Sequence, residues 1–310
     1  MTTLDVEGVL VELWYPADAA AAAAPADVYD MRAALPEEMQ GRIADTEPTR
    51  FTTLARRDAP AAAGRFPLVL FSHGLGGFRQ QSSFLTAHLA TWGFVVAAPE
   101  HAERNLAAVL REELSDRAIP QLRAALDALR GDPRVDASRV AVMGHSAGGG
   151  AIAALVDDGS VGARAWIALA TIAAPRERVP GLLMGGETDL IAVPETVART
   201  FEDAVHPESR YVSVTGAGHL AFSDICLIGR ERGGVLRIAQ EAGLEISDLV
   251  VRLASDGCRP DDLPAEEAWP LIRHYVTATL RAHLEAPDPG ALDGAGACFD
   301  GLVTTDRTVP

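Results

Sequence analysis

The sequence predicts an α/β fold in which helices cover both faces of a mostly parallel, doubly wound sheet. Three observations predict it. Apolar, β-favouring runs alternate with helix-patterned runs across short links, the signature of parallel strands joined by crossover helices. Two of these runs, 66–72 and 94–98, are apolar and β-rich, as strands covered on both faces should be. The stretch Arg139-Val-Ala-Val-Met-Gly-His-Ser-Ala-Gly-Gly-Gly150 reads as strand, tight turn and helix in immediate succession.

Residues 9–15 alternate, with Val9, Val11 and Leu13 on one face, and the strand ends at Pro16. Residues 17–26 are alanine-rich, contain Pro25 and lack polar periodicity, so they read as exposed loop. A short helix broken at Pro36 is expected within 29–42, and a short strand at 51–54, before an Ala/Pro/Gly linker that ends at Gly64. The strand at 66–72 runs into His73-Gly-Leu-Gly-Gly77. Phe84, Leu85, His88 and Leu89 recur at helical spacing over 82–92, and Gly93 stops that helix. The buried strand at 94–98 closes at Pro99-Glu-His101. An amphipathic helix over 116–130 presents Leu122, Ala125, Leu126 and Leu129 on one side. After the strand–turn–helix stretch come strands at 165–170, 181–185 and 211–214, with a helix over 194–204 carrying Pro at its first turn. Two further helices are expected at 235–242 and 269–284. The whole is expected to be one domain over 1–310: a core over about 9–224 and 265–285, a helical insertion over 225–264 and an irregular tail over 286–310.

At 310 residues the chain can bury a sizeable core, and its 48% hydrophobic content holds no unbroken apolar run long enough to span a bilayer, so no stable membrane insertion is expected. The formal charge of -16 disfavours nucleic acid and anionic membrane surfaces as partners, since both need clustered positive charge. All 27 basic residues are Arg; without Lys there is neither a Schiff-base mechanism nor a Walker-type phosphate site. The first residues have neither the basic start nor the apolar core of a signal peptide, and the compartment stays open between cytoplasmic and secreted with a leader removed. Cys226, Cys258 and Cys298 form no C-x-x-C or His/Cys metal pattern; one disulfide with one free thiol fits them, and so does none. No cofactor and no metal are expected.

Chemistry enters at Gly144-His-Ser-Ala-Gly148, which spells G-x-S-x-G. A serine on a strained strand-to-helix turn needs neighbours without bulk, and Gly144, Ala147 and Gly148 supply that. A phosphate-binding turn would need the G-x-G-x-x-G order or a P-loop Lys, and neither is present. A serine hydroxyl also needs a base oriented by a buried acid. In a doubly wound sheet the loops at the carboxyl ends of the strands share one rim, where residues distant in sequence meet. Ser146, then Asp189 after Gly186-Glu-Thr, then His219 in Gly216-Ala-Gly-His stand at three such strand ends, in the chain order of α/β-hydrolases. His145 adjoins the nucleophile but points away from it, which suits a packing role, and His88 and His274 sit inside helices. Glu187 and Asp224 are the rival acids; Asp189 lies past the strand end in a loop bounded by Pro194. The oxyanion hole needs two N–H donors, and the residue after the nucleophile, Ala147, with Leu75 of the His73–Gly77 loop supplies them.

Three stretches together resemble the platelet-activating-factor acetylhydrolase and dienelactone-hydrolase-like branch of the α/β-hydrolases: Val69-Leu-Phe-Ser-His-Gly-Leu-Gly-Gly-Phe-Arg79, Gly93-Phe-Val-Val-Ala-Ala-Pro-Glu-His101 and Gly144-His-Ser-Ala-Gly-Gly149. The opening Glu12-Leu-Trp-Tyr-Pro16 is similar too. The resemblance covers residues 9–224 and implies an α/β-hydrolase fold, a serine nucleophile at Ser146 and an oxyanion donor at Leu75. A dienelactone hydrolase proper uses Cys as nucleophile, and Ser146 in its place points to ester hydrolysis.

The expected function is a cofactor-independent serine carboxylic-ester hydrolase working through an acyl-enzyme, with a small-molecule or polymeric ester as its partner. Polyester hydrolysis and acyl transfer to an acceptor other than water use the same machinery; a hydrolase fold kept only for binding fits an intact Ser146–Asp189–His219 set less well. The short interval between Ser146 and Asp189 leaves little chain for a lid. An open or shallow cleft suited to short acyl chains or exposed polymers is therefore expected, lined by Leu75, Phe78, Ile119 and Phe222.

Overall fold

The chain opens with an antiparallel pair, β1 (Thr2–Val6) and β2 (Val9–Trp14), so the sheet begins ahead of the expected core boundary at residue 9. The computed structural model describes residues 1–44, 48–285 and 291–309. The alanine run expected as loop forms a 3-10 turn at Ala19–Ala23, because the Asp18 side chain accepts from the Ala20 N–H. A two-stranded ribbon of β3 (Ala26–Asp30) and β4 (Arg50–Arg56) brackets a 3-10 turn at Met31–Ala34 and the short α1 (Glu37–Gln40), separated at Pro36 as the sequence suggests.

From β5 (Phe66–Ser72) onward strands and helices alternate: α2 (Ser83–Thr91), β6 (Val95–Pro99), α3 (Leu106–Arg111), α4 (Ala118–Leu129), β7 (Val135–His145), α5 (Ala147–Asp157), β8 (Ala163–Leu169), β9 (Gly181–Gly186), α6 (Pro194–Glu202) and β10 (Arg210–Val214). Two helices follow in the insertion, α7 (Gly234–Glu241) and α8 (Asp248–Ser255), then the long α9 (Ala265–Leu284), α10 (Ala295–Cys298) and β11 (Val303–Thr308). The sheet order is β1-β2-β6-β5-β7-β8-β9-β10-β11. The six strands from β6 to β10 are parallel, and antiparallel strands close both edges. This is the expected α/β-hydrolase architecture. The tail departs from expectation: Val303–Thr308 pairs with β10, and Asp306 accepts a hydrogen bond from Tyr275 Oη at 2.6 Å. Residues 286–290 of that tail lie outside the described residues.

Alternation along each strand divides the core in two. Val69, Phe71, Ala141 and Met143 join α2 and α9 on one face; Leu68, Leu70, Val140 and Val142 join α4, α5 and α6 on the other. No described helix is long and apolar enough to cross a membrane.

A polar layer sits at the carboxyl ends of β5, β6 and β7. His73 donates from Nδ1 to the Gly74 carbonyl (2.9 Å) and accepts the His101 N–H at Nε2 (2.9 Å). His101 donates from Nδ1 to Gln121 Oε1 (2.6 Å), which leaves Nε2 to accept from Ser72 Oγ (2.9 Å). His145 accepts from Gln81 Nε2 (3.0 Å) and donates from Nε2 to the His219 carbonyl (3.1 Å). Each ring is buried and fully partnered in its neutral form. Burial pushes His73 and His145 down to about 3, and His101 well below its ordinary value.

Two satellite clusters lie over this rim. Tyr29 and Phe78 pack with Leu220, Ile225 and Ile228, and Ile43 packs with Ile238 and Leu244. Residues 29–43 and the insertion thus form one overhang from two distant parts of the chain. A disulfide between Cys226 and Cys258, with Cα atoms 5.2 Å apart, closes the loop that carries α7 and α8; Cys298 is free and exposed.

Two outcomes are expected. The unfolded chain binds protons at these histidines below about pH 6.5 and the folded protein does not, so stability is full above that pH and falls toward pH 3, by up to about 1.4 kcal/mol per pH unit per group. Urea midpoints should drop from pH 8 to pH 5, and His145→Gln should flatten the slope; equal midpoints would contradict this. Replacing Cys226 and Cys258 together by Ser should cost about 3 kcal/mol of unfolding free energy, read from the same midpoints.

Candidate active site

β7 ends at His145 and α5 starts at Ala147, so Ser146 alone makes the turn, at φ 55 and ψ -121. A non-glycine residue there is strained and must be held by its surroundings. The Ser146 N–H donates to the Leu169 carbonyl (2.9 Å), and its own carbonyl accepts from Gly149 (2.8 Å). The flanking glycines are steric requirements. A Cβ on Gly144 would lie 2.4 Å from the Gly148 carbonyl, and one on Gly148 would lie 2.0 Å from the Ser72 carbonyl oxygen.

Asp189 sits just beyond β9 and is buried. Its Oδ1 accepts from the N–H groups of Ile191 (2.8 Å) and Ala192 (2.7 Å), and its Oδ2 pairs with His219 Nδ1 at 2.9 Å. With Nδ1 so engaged, Nε2 is the ring nitrogen left for other work. His219 and Ser146 line one pocket. The rival acids have other partners: Glu187 accepts from the Gly216 N–H at 3.0 Å, and Asp224 caps α2 from outside the helix. Asp224 takes the N–H groups of Ser83 (2.7 Å) and Phe84 (3.0 Å) and the Ser83 hydroxyl (2.5 Å); burial pushes its carboxyl up to about 7 against the pull of those donors. Of the helical histidines, His274 is tied to the Ala291 carbonyl at 2.9 Å.

The loop after β5 comes directly onto the nucleophile. A Cβ on Gly74 would lie 3.1 Å from the Ser146 Cβ. The Gly77 N–H closes the turn onto the Gly74 carbonyl (3.2 Å), and Gly76 takes a φ of +70 that glycine alone adopts freely. Leu75 lines the pocket, and Ala147 opens α5, where a first-turn N–H has no intrahelical acceptor. Arg104 braces this loop from below. Its Nη2 donates to Ser72 Oγ (2.7 Å) and the His73 carbonyl (2.8 Å), while its own carbonyl accepts the Gly76 N–H (2.8 Å). The sequence reading missed Arg104, although it follows the same strand end as His101.

The overhang contributes to the pocket walls. Met31, Val109, Val250 and Leu253 from the overhang and α3 line the pocket beside Ser146 and His219. Three expected lining residues are elsewhere, because the core claims them: Phe78 packs against Tyr29 with ring centres 5.5 Å apart, Phe222 is wholly buried in the sheet core, and Ile119 packs on the α4 face.

Directly after α8, a cluster that the sequence reading missed holds the acid and base loops together. Asp256 accepts from the N–H of Leu190 (2.8 Å) and of His219 (3.3 Å), and its carbonyl accepts from Leu220 (2.8 Å). Arg259 reaches Asp256 Oδ1 (3.2 Å), the Thr188 carbonyl (3.0 Å) and Asp262 Oδ1 (2.8 Å). The turn signals in Ser255-Asp-Gly-Cys-Arg-Pro-Asp-Asp262 mark an ordered bend, and were the available clue. No group of three or more His, Cys, Asp or Glu side chains able to hold a metal occurs among the described residues.

Residues 1–126 match the family described as platelet-activating factor acetylhydrolase, isoform II, and residues 80–173 match the prolyl oligopeptidase family. A platelet-activating factor acetylhydrolase of Cavia porcellus is 46% identical over 55 residues, 17% of this chain and 13% of that protein. Cutinase est2 of Thermobifida alba is 30% identical over 177 residues, 52% of this chain and 55% of that protein, so the chain spans about half the length of this relative. Among solved structures, a ferulic acid esterase from Streptomyces cinnamoneus superposes with a TM-score of 0.63 at 25% identity, covering 91% of this chain and 84% of that one. By fold and by these likenesses, the chain is an α/β-hydrolase related to the esterases.

Proposed function

We propose that this protein is a serine carboxylic-ester hydrolase that works through an acyl-enzyme. The observation that carries the reading is the buried His219–Asp189 pair, 2.9 Å apart, sharing a pocket with a strained Ser146. Ser146 Oγ attacks the ester carbonyl carbon and its proton passes to His219 Nε2. Asp189 keeps the imidazole in the tautomer that presents Nε2 and stabilises the imidazolium that forms. The carbonyl oxygen becomes an oxyanion facing the N–H groups of Leu75 and Ala147, where preformed dipoles need no reorganisation. Collapse breaks the bond to the alcohol oxygen, which leaves with the proton from His219. Water then attacks the acyl-enzyme, His219 takes its proton and returns it to Ser146, and the carboxylic acid departs.

The likeness to cutinases supports polymeric esters as a second substrate class. The overhang of α8 and residues 29–43 favours single chains that thread into the pocket over a flat polymer surface.

On p-nitrophenyl butyrate, Ser146→Ala should lower kcat by about 10⁶ and Asp189→Asn by about 10⁴. A fluorophosphonate should label Ser146 in the parent protein and nothing in Ser146→Ala. Turnover surviving in Ser146→Ala would end this reading.

A further inference from the structure

A second hollow adjoins the catalytic pocket. Leu35, Leu110, Leu236, Ile238, Leu244 and Ile246 wall it, and it is partly open to solvent. Its polar wall residues, Arg32 and Thr49, turn their polar atoms to Asp30, at 3.0 Å from Arg32 Nε and 2.9 Å from Thr49 Oγ1. Met31, Leu106, Val250 and Ala254 line both hollows, so the two lie side by side, whereas Ser146, His219 and Leu220 line the catalytic pocket alone.

The side from which it opens decides which half of an ester it receives. His219 must stand beside the alcohol oxygen it protonates, so the alcohol leaves past His219 and Leu220. The acyl group extends from the carbonyl carbon away from that alcohol; Leu106, which lines both hollows, is tied by its N–H to the Gly77 carbonyl (3.2 Å) at the end of the oxyanion turn. We propose that this hollow, a trough beside the catalytic pocket, is the acyl-binding site and takes an unbranched apolar acyl chain of medium length. This rests on the ester-hydrolase reading and names its substrate.

Burying each methylene contributes up to about fourfold in kcat/KM. Across p-nitrophenyl esters from acetate to palmitate, kcat/KM should rise at least roughly tenfold to the octanoate or decanoate and fall by the palmitate. Leu110→Trp and, separately, Leu236→Trp fill the trough, and either should cut the octanoate-to-acetate ratio by roughly tenfold. A ratio is read on active molecules only, so partial misfolding does not mimic the result. A flat or falling series with turnover intact would overturn the trough and spare the esterase; a parent protein that hydrolyses none of the esters would overturn both.

A different observation carries a second inference. Asp256, which belongs to neither loop, is bonded to the acid loop through the Leu190 N–H and to the base loop through the His219 N–H. Gly257 beside it takes a φ of +98, and a Cβ there would lie 2.7 Å from the Leu220 nitrogen, so the segment is pressed flat against the His219 turn. The geometry assigns Asp256 as a positioning residue that fixes Asp189 and His219 relative to each other, again on the ester-hydrolase reading. An error of a fraction of an ångström between acid and base costs rate and leaves substrate binding alone.

The test counts active sites by the fluorophosphonate burst and reports kcat per site. Asp256→Ala should lower kcat per site roughly tenfold with KM within about twofold, and Asp256→Asn, which keeps one acceptor, should recover part of the loss. A fall in the number of sites or in Tm with kcat per site unchanged would show a merely structural role and overturn the assignment. Loss of the Ser146 label in the parent protein would instead overturn the esterase reading beneath it.

Discussion

Backbone rests directly on backbone where the first turn of α5 meets the end of β5. Gly148 lies so close to the Ser72 carbonyl that a single methyl group would sit 2.0 Å from it, and one on Gly144 would sit 2.4 Å from the Gly148 carbonyl. This approach fixes the height of Ser146 above the sheet and lets Gly74 press against its side chain. It also brings the His73–Gly77 turn within reach of the same point in space. Arg104, His73 and His101 then hold that turn from beneath through their hydrogen bonds. Remove the contact and the other features have no common origin.

Much of this was legible because steric need writes itself in small residues. G-x-S-x-G names two positions that admit no side chain, and the run at β5 falls at the expected bounds, Phe66–Ser72, because a strand covered on both faces is apolar up to the Ser72 at its end. Asp189 and His219 could be singled out because each follows a strand end. What escaped depends on partners far away in sequence. Asp256 looks like any turn aspartate until Leu190 and His219 are seen against it, and α8 announces itself only by Ser247 accepting from the Val250 N–H. β11 carries Val-Thr-Thr-Asp-Arg-Thr, an edge strand without the apolar face that pattern reading requires. Phe78 and Phe222 were assigned to substrate for being apolar beside a motif, when the interior had the stronger claim on them.

The overhang illustrates how topology makes a pocket from unrelated stretches. Residues 29–43 leave the sheet after β2, the insertion leaves it after β10, and Ile43 meets Ile238 above the rim. Neither stretch alone buries its apolar side. Each depends on the other, and both on the strand ends that launch them.

The covalent link between Cys226 and Cys258 gives this roof an uncommon topology. Any backbone cut between them leaves both fragments tethered, so α7 and α8 stay attached when the chain is nicked. A single protease cut in the roof is therefore silent in size until the cystine is reduced.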